Sequence, residues 1–271
     1  MARPSFVDSS NNLRDNEDVK KQAVFIANWK MHGRKASLIA WIEALAQSRS
    51  TQTAIRILCP PAVYLDAAQT LIQQTQATLH LGAQNVFFEP QGAYTGEIAA
   101  AMLRELGCRY VLIGHSERRN FFQEPEAWIS KKLKAALEAD LIPILCVGES
   151  AQARKANLTE QVIQQQLAQA FSGLATMTSG QLMIAYEPVW AIGTGLSASP
   201  EQAQRVQAGI RAWLKARAPS LAAVPLLYGG SVNTENASAL MREPDIDGLL
   251  MGGASLNADD FLRISGQVLE G

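Results

Sequence analysis

From residue 23 onward, short apolar runs alternate with longer stretches in which apolar positions recur every three or four residues. The runs occupy 23–28, 54–59, 78–84, 110–114, 142–147, 182–187, 224–229 and 247–252. Most are apolar at every position rather than at every second one. A strand buried on both faces reads this way, and parallel sheets bury both faces. The pattern predicts eight parallel strands.

The stretches between them read as helices. Residues 37–47 place Leu38, Trp41, Ile42 and Leu45 on one stripe, and 127–140 do the same with Ile129, Leu133, Ala136 and Leu137. Ser199-Pro200-Glu201-Gln202 is a helix start: a Ser cap, Pro at the first helical position, and Gln at the third to close a capping box. No Gly/Ser linker or change of composition interrupts the eight units. They are read as one domain, 23–271, behind a polar N-terminal extension, 1–22. Alternating β and α elements mean an α/β fold with a parallel sheet. Eight units favour a closed (β/α)8 barrel over a doubly wound open sheet, and no GxGxxG follows the first strand.

Composition narrows the function. Lys and Arg number 24 against 25 Asp and Glu, so the basic excess of a nucleic-acid binder is missing. The longest basic cluster, Lys131-Lys132, reads as a solvated helix face. Cys59, Cys108 and Cys146 have no CxxC spacing, which argues against a disulfide framework and a structural zinc site. Each lies in or beside an apolar run, as a buried thiol in a reducing compartment would. No apolar stretch approaches the roughly 20 residues that span a membrane. The first residues carry no hydrophobic signal segment. A soluble cytoplasmic protein without metal or cofactor is the expectation.

In a (β/α)8 barrel the chemistry sits at the C-terminal ends of the strands. The first run ends Asn28-Trp29-Lys30, where Lys30 is either a snorkelling side chain or a cation aimed at a ligand. The fourth leads into His115-Ser116-Glu117, at the start of a helix. Partial positive charge there lowers a His pKa and favours a neutral ring that still donates one hydrogen bond. The sixth ends in Glu187, followed by Pro188, which biases it toward extended geometry. This is either an exposed acid in a turn or a shielded base with a raised pKa. The seventh and eighth runs lead into Gly229-Gly230-Ser231 and Gly252-Gly253. Tight turns account for either pair alone. The two in this order match the phosphate cradle common after strands seven and eight. A base, a neutral electrophile, a cation and a phosphate pocket suit proton abstraction beside a carbonyl on a small phosphorylated substrate.

These segments carry a resemblance. Asn28-Trp29-Lys30, residues 92–97 (GAYTGE), 113–119 (IGHSERR), 185–195 (AYEPVWAIGTG), 228–232 (YGGSV) and 248–256 (GLLMGGASL) stand in the order found in triosephosphate isomerases. From about Phe25 to the C-terminus the chain resembles that family. The resemblance implies a single TIM barrel that interconverts dihydroxyacetone phosphate and glyceraldehyde 3-phosphate in glycolysis and gluconeogenesis. It implies Glu187 as base, His115 as neutral electrophile, Asn28 and Lys30 as substrate-binding groups, and Glu117 in support. Gly193, Ser231, Gly252 and Gly253 would bind phosphate. Residues 188–196 would form a lid, with Ile192 and Leu250 shielding Glu187. Lys30 would hold an unfavourable backbone conformation. The loop 92–97, with Thr95 as its contact residue, implies a homodimer. Leu196 departs from the Lys of many relatives. Another phosphate-binding barrel enzyme and a non-catalytic binding barrel are the competing readings.

Overall fold

Eight strands close on themselves. The computed structural model describes residues 22–48, 54–174, 178–191 and 197–267. The expected extension lies outside these residues except for Gln22. The strands are β1 (Val24–Asn28), β2 (Ile55–Cys59), β3 (His80–Ala83), β4 (Tyr110–Ile113), β5 (Ile142–Val147), β6 (Met183–Tyr186), β7 (Leu226–Tyr228) and β8 (Gly248–Met251). Each pairs in parallel with the next, and β8 pairs with β1. This is the closed barrel that the pattern favours, and each strand falls within its apolar run.

The uniform apolarity of those runs has a cause. Along β1, Val24 and Ile26 pack in the lumen with Ile57, Tyr110, Leu112, Ile144 and Leu227. Phe25 and Ala27, pointing the other way, pack under the surrounding helices. Strand positions alternate, but both faces are core. The lumen is filled: a Cβ on Gly82 of β3 would stand 2.7 Å from Cys59 Sγ. All three cysteines are buried, as expected.

The helices are α1 (Lys35–Gln47), α2 (Leu65–Thr75), α3 (Ala100–Glu105), α4 (Ser116–Phe121), α5 (Glu126–Glu138), α6 (Ala151–Lys155), α7 (Thr159–Ala170), α8 (Pro200–Arg217), α9 (Ala237–Met241) and α10 (Ala258–Gln267). The capping box at α8 forms as read: Ser199 Oγ accepts the Gln202 N–H at 3.3 Å, and Gln202 Oε1 accepts the Ser199 N–H at 3.2 Å. On α1 the buried stripe is the expected one. On α5 the reading needs correction. Lys132 is not solvated; it is buried with Ile129, Leu133 and Ala136. Its Nζ lies 2.5 Å from Glu124 Oε1 and donates to Asn85 Oδ1 at 2.8 Å. Only Lys131 keeps to the solvated face, over the Phe88 ring. Among the described residues no helix is long and apolar enough to cross a membrane.

Because every strand runs the same way, the segments after β1, β4, β6, β7 and β8 emerge on one rim. That placement gathers residues far apart in sequence.

Candidate active site

Asn28 closes β1 and is buried. Its Oδ1 accepts the Lys30 N–H at 3.1 Å. Lys30 itself has φ +52°, the left-handed region that a long side chain rarely enters. The expected strain is therefore present, and the neighbours that hold it are visible. Gln84, one residue past β3, donates from Nε2 to the Lys30 and Cys59 carbonyls, each at 2.9 Å. At the other end of the side chain, Lys30 Nζ reaches Glu117 Oε1 at 2.7 Å. Gln84 did not stand out in the sequence, because a lone amide after a strand carries no pattern. Its position at a strand end was the available signal.

His115 precedes α4, and Glu187 follows β6. The two meet: His115 Nε2 lies 2.9 Å from Glu187 Oε1, with the side chains 7% and 2% exposed. The second carboxylate oxygen accepts the Ser116 N–H at 2.9 Å. His115 Nδ1 accepts the Glu117 N–H at 3.2 Å. An acceptor at Nδ1 places the ring proton on Nε2, facing Glu187. The neutral ring satisfies both contacts at once.

This pairing reverses the two pKa directions expected from the sequence. Burial alone would raise the pKa of Glu187. The His115 ring, the Ser116 N–H and Lys30 outweigh it, and the carboxyl titrates below its ordinary range. Burial alone would lower the pKa of His115, but Glu187 raises it, and the net shift is upward. Helix-end charge and shielding were legible from sequence; direct contact between the two groups was not.

The remaining candidates divide. Gly252 lies beside Lys30, since a Cβ there would stand 3.3 Å from Lys30 Cε. Gly253 is the next residue, at the start of a short turn, Gly253–Ser255. Ser231 Oγ donates to the Ala191 carbonyl at 2.8 Å, so it joins the β7 loop to the first turn after Pro188. Ala198 N–H donates to Tyr228 Oη at 3.3 Å, holding the other end of that segment. Ile192, Gly193 and Leu196 lie outside the described residues. Leu250 is buried in the lumen; a Cβ on Gly229 would meet both its side chain and that of Glu187. Thr95 is exposed, in a run of exposed residues from Gln91 to Glu97.

A cavity of about 350 Å³ opens over the rim, lined by Asn28, Lys30, Gln84, His115 and Glu117, among others. Lys30 and His115 bring a cation and an imidazole to it; Glu187, in contact with His115, is not itself part of the lining. Among the described residues, no group of three or more His, Cys, Asp or Glu could hold a metal ion.

Comparison with known proteins points the same way. The model of the family described as triosephosphate isomerase matches residues 23–268. The triosephosphate isomerase of Hydrogenovibrio crunogenus is 49% identical over 247 residues, covering 90% of this chain and 97% of that relative. The enzyme of Roseiflexus castenholzii is 47% identical, covering 88% and 94%. That of Shewanella denitrificans is 44% identical, covering 90% and 96%. With the match running through every strand of the barrel and the whole rim, this chain belongs to the triosephosphate isomerase family.

Proposed function

We propose that the chain performs the reaction of its family, interconversion of dihydroxyacetone phosphate and D-glyceraldehyde 3-phosphate, with Glu187 as base and His115 as electrophile. The buried contact between these two groups at the barrel mouth, beside Lys30, is the observation that carries the assignment. Glu187 takes the proton from C1 of the ketone. The resulting enediolate gathers charge on its oxygens, where the Nε2–H of His115 donates to it and Lys30 offsets the negative charge. The proton returns to C2, a hydroxyl proton moves between the two oxygens, and the aldehyde is formed. No bond to the enzyme is made and no electron leaves the substrate.

Both oxygens of Glu187 are engaged before substrate arrives. Reaction therefore requires the carboxylate to exchange His115 for the substrate carbon. Once apart, each group loses the partner that dominated its titration. Burial then prevails, raising Glu187 and lowering His115, which are the directions that suit a base and a neutral donor. The phosphate is held by amides of Gly193, Ser231, Gly252 and Gly253. Residues 188–196 close over it as a lid, excluding water from the enediolate.

We assign the working form to a homodimer. Met31 and Phe122, 93% and 67% exposed, line the same cavity as Lys30 and Glu117. A second copy inserting its 92–97 loop, with Thr95 foremost, covers these side chains and backs the substrate-binding groups. The compartment proposed is the cytoplasm.

The test is a coupled isomerase assay in both directions, beside Glu187→Gln and a measurement of mass in solution. Turnover that collapses in the variant, from a dimeric parent, supports the whole reading. Turnover that survives in the variant moves the base elsewhere. A parent that binds phosphate ligands without turnover is a binding barrel.

A further inference from the structure

A base is only as well placed as its backbone. The Glu187 N–H donates to the Val147 carbonyl at 2.7 Å, the last rung between β5 and β6. One residue later β5 has ended. Gly148 there presents an N–H and a C=O that a longer strand would pair. Gln166 on α7 supplies both partners: its Oε1 accepts the Gly148 N–H at 2.9 Å, and its Nε2 donates to the Gly148 carbonyl at 3.1 Å. A primary amide sets a donor and an acceptor side by side, as a peptide edge does. The side chain thus extends the sheet by one rung.

Gly148 cannot shift independently of Glu187. A Cβ on Gly148 would lie 1.8 Å from the Glu187 carbonyl oxygen, so the two backbones are in direct contact. The next residue, Glu149, is fully buried and accepts from Tyr186 Oη at 3.2 and 3.1 Å and from Trp190 Nε1 at 3.0 Å. The segment Gly148-Glu149 therefore touches the base itself, the residue before it and the start of the lid after it. We infer that Gln166 is a positioning residue for Glu187, acting through the Gly148 backbone; this rests on the reading of Glu187 as base. The amide does not line the cavity that Lys30 and His115 line, and its two hydrogen bonds both go to Gly148.

Two variants test it in the full chain. Gln166→Leu keeps the bulk and removes both hydrogen bonds. It is expected to lower kcat by about ten- to a hundredfold with KM changed by no more than about twofold, the signature of a base displaced by a fraction of an ångström. Gln166→Glu is isosteric. Its protonated carboxyl restores both bonds, the O–H donating to the Gly148 carbonyl, whereas the ionised form sets an oxygen against an oxygen. The ratio of its kcat to the parent's is expected to fall as pH rises and the introduced carboxyl ionises. An unchanged kcat in Gln166→Leu, with only a lower Tm, overturns the inference and leaves a structural tie. If Gln166→Leu does not fold, the isosteric variant decides alone: a ratio flat with pH overturns the inference. A parent without isomerase turnover overturns the reading of the site, and this inference with it.

Discussion

Glu187 and Glu124 are both withdrawn from water beside a nitrogen base. Glu187 meets His115 at 2.9 Å, and Glu124 meets Lys132 at 2.5 Å. Burial is nearly equal, so burial does not tell them apart. Their remaining partners do. Glu124 also holds Arg118 at 2.6 Å, and Lys132 also holds Asn85, so the pair ties α4 and α5 to the end of β3. Arg118 lines the cavity, but neither Glu124 nor Lys132 does. His115 lines it, and besides the ring it faces Glu187 accepts the Ser116 N–H. The first pair is a knot; the second has one member on the cavity and is, under the proposed mechanism, a latch. A buried acid beside a nitrogen base becomes a candidate for chemistry when one member of the pair faces open space.

The contrast can be broken at several points. Glu187→Gln should cost the most in rate, about 10²–10⁴-fold in kcat, as loss of a general base does, with little change in Tm. If both kcat and Tm fell together, the latch would be a structural tie as well. Lys132→Met should reverse that profile. It leaves the buried Glu124 carboxyl with Arg118 as its remaining ion-pair partner, and chemical denaturation should show a loss of about 3–5 kcal/mol. Among molecules that remain folded, kcat should hold within a few-fold of the parent.

Titration sharpens the comparison further. In the free chain the His115 contact depresses the pKa of Glu187, so the ionised base survives as pH falls below the ordinary carboxylate range. With substrate between the groups, burial raises that pKa. The acid limb of kcat should then lie at higher pH than the acid limb of kcat/KM. Coincident limbs would mean that the pair stays closed during turnover. The smallest effect is expected next door: Lys131→Ala removes only an exposed contact over Phe88, worth about 0.5 kcal/mol. A loss as large as that of Lys132→Met would show that the two lysines share one network.

The sequence made the barrel legible because each strand is buried on both faces, and the helix start at Ser199 because its capping residues are adjacent. The same uniformity hid which strand residues face the lumen. Val24 and Phe25 are both apolar, yet they belong to different cores. Lys132 was misread because helical spacing marks a face without naming what comes to meet it. Its partner, Glu124, precedes the helix and shows no pattern of its own. The site residues could be named one by one, but not the contact that sets their protonation. Gln84 and Gln166 were invisible for a related reason: an amide that completes a backbone has no signature until that backbone is in place.

The pairing of β8 with β1 has a consequence for synthesis. Val24 lies beside Gly248, and Ala27 beside Met251, so the first strand finds its second neighbour only when the last has been made. Until then the nascent sheet has two raw edges and an apolar lumen open to solvent. Closing so long a loop is slow compared with forming any one β–α unit. Lys30, just past the end of β1, therefore meets Gly252, just past the end of β8, only after every strand between them has been made.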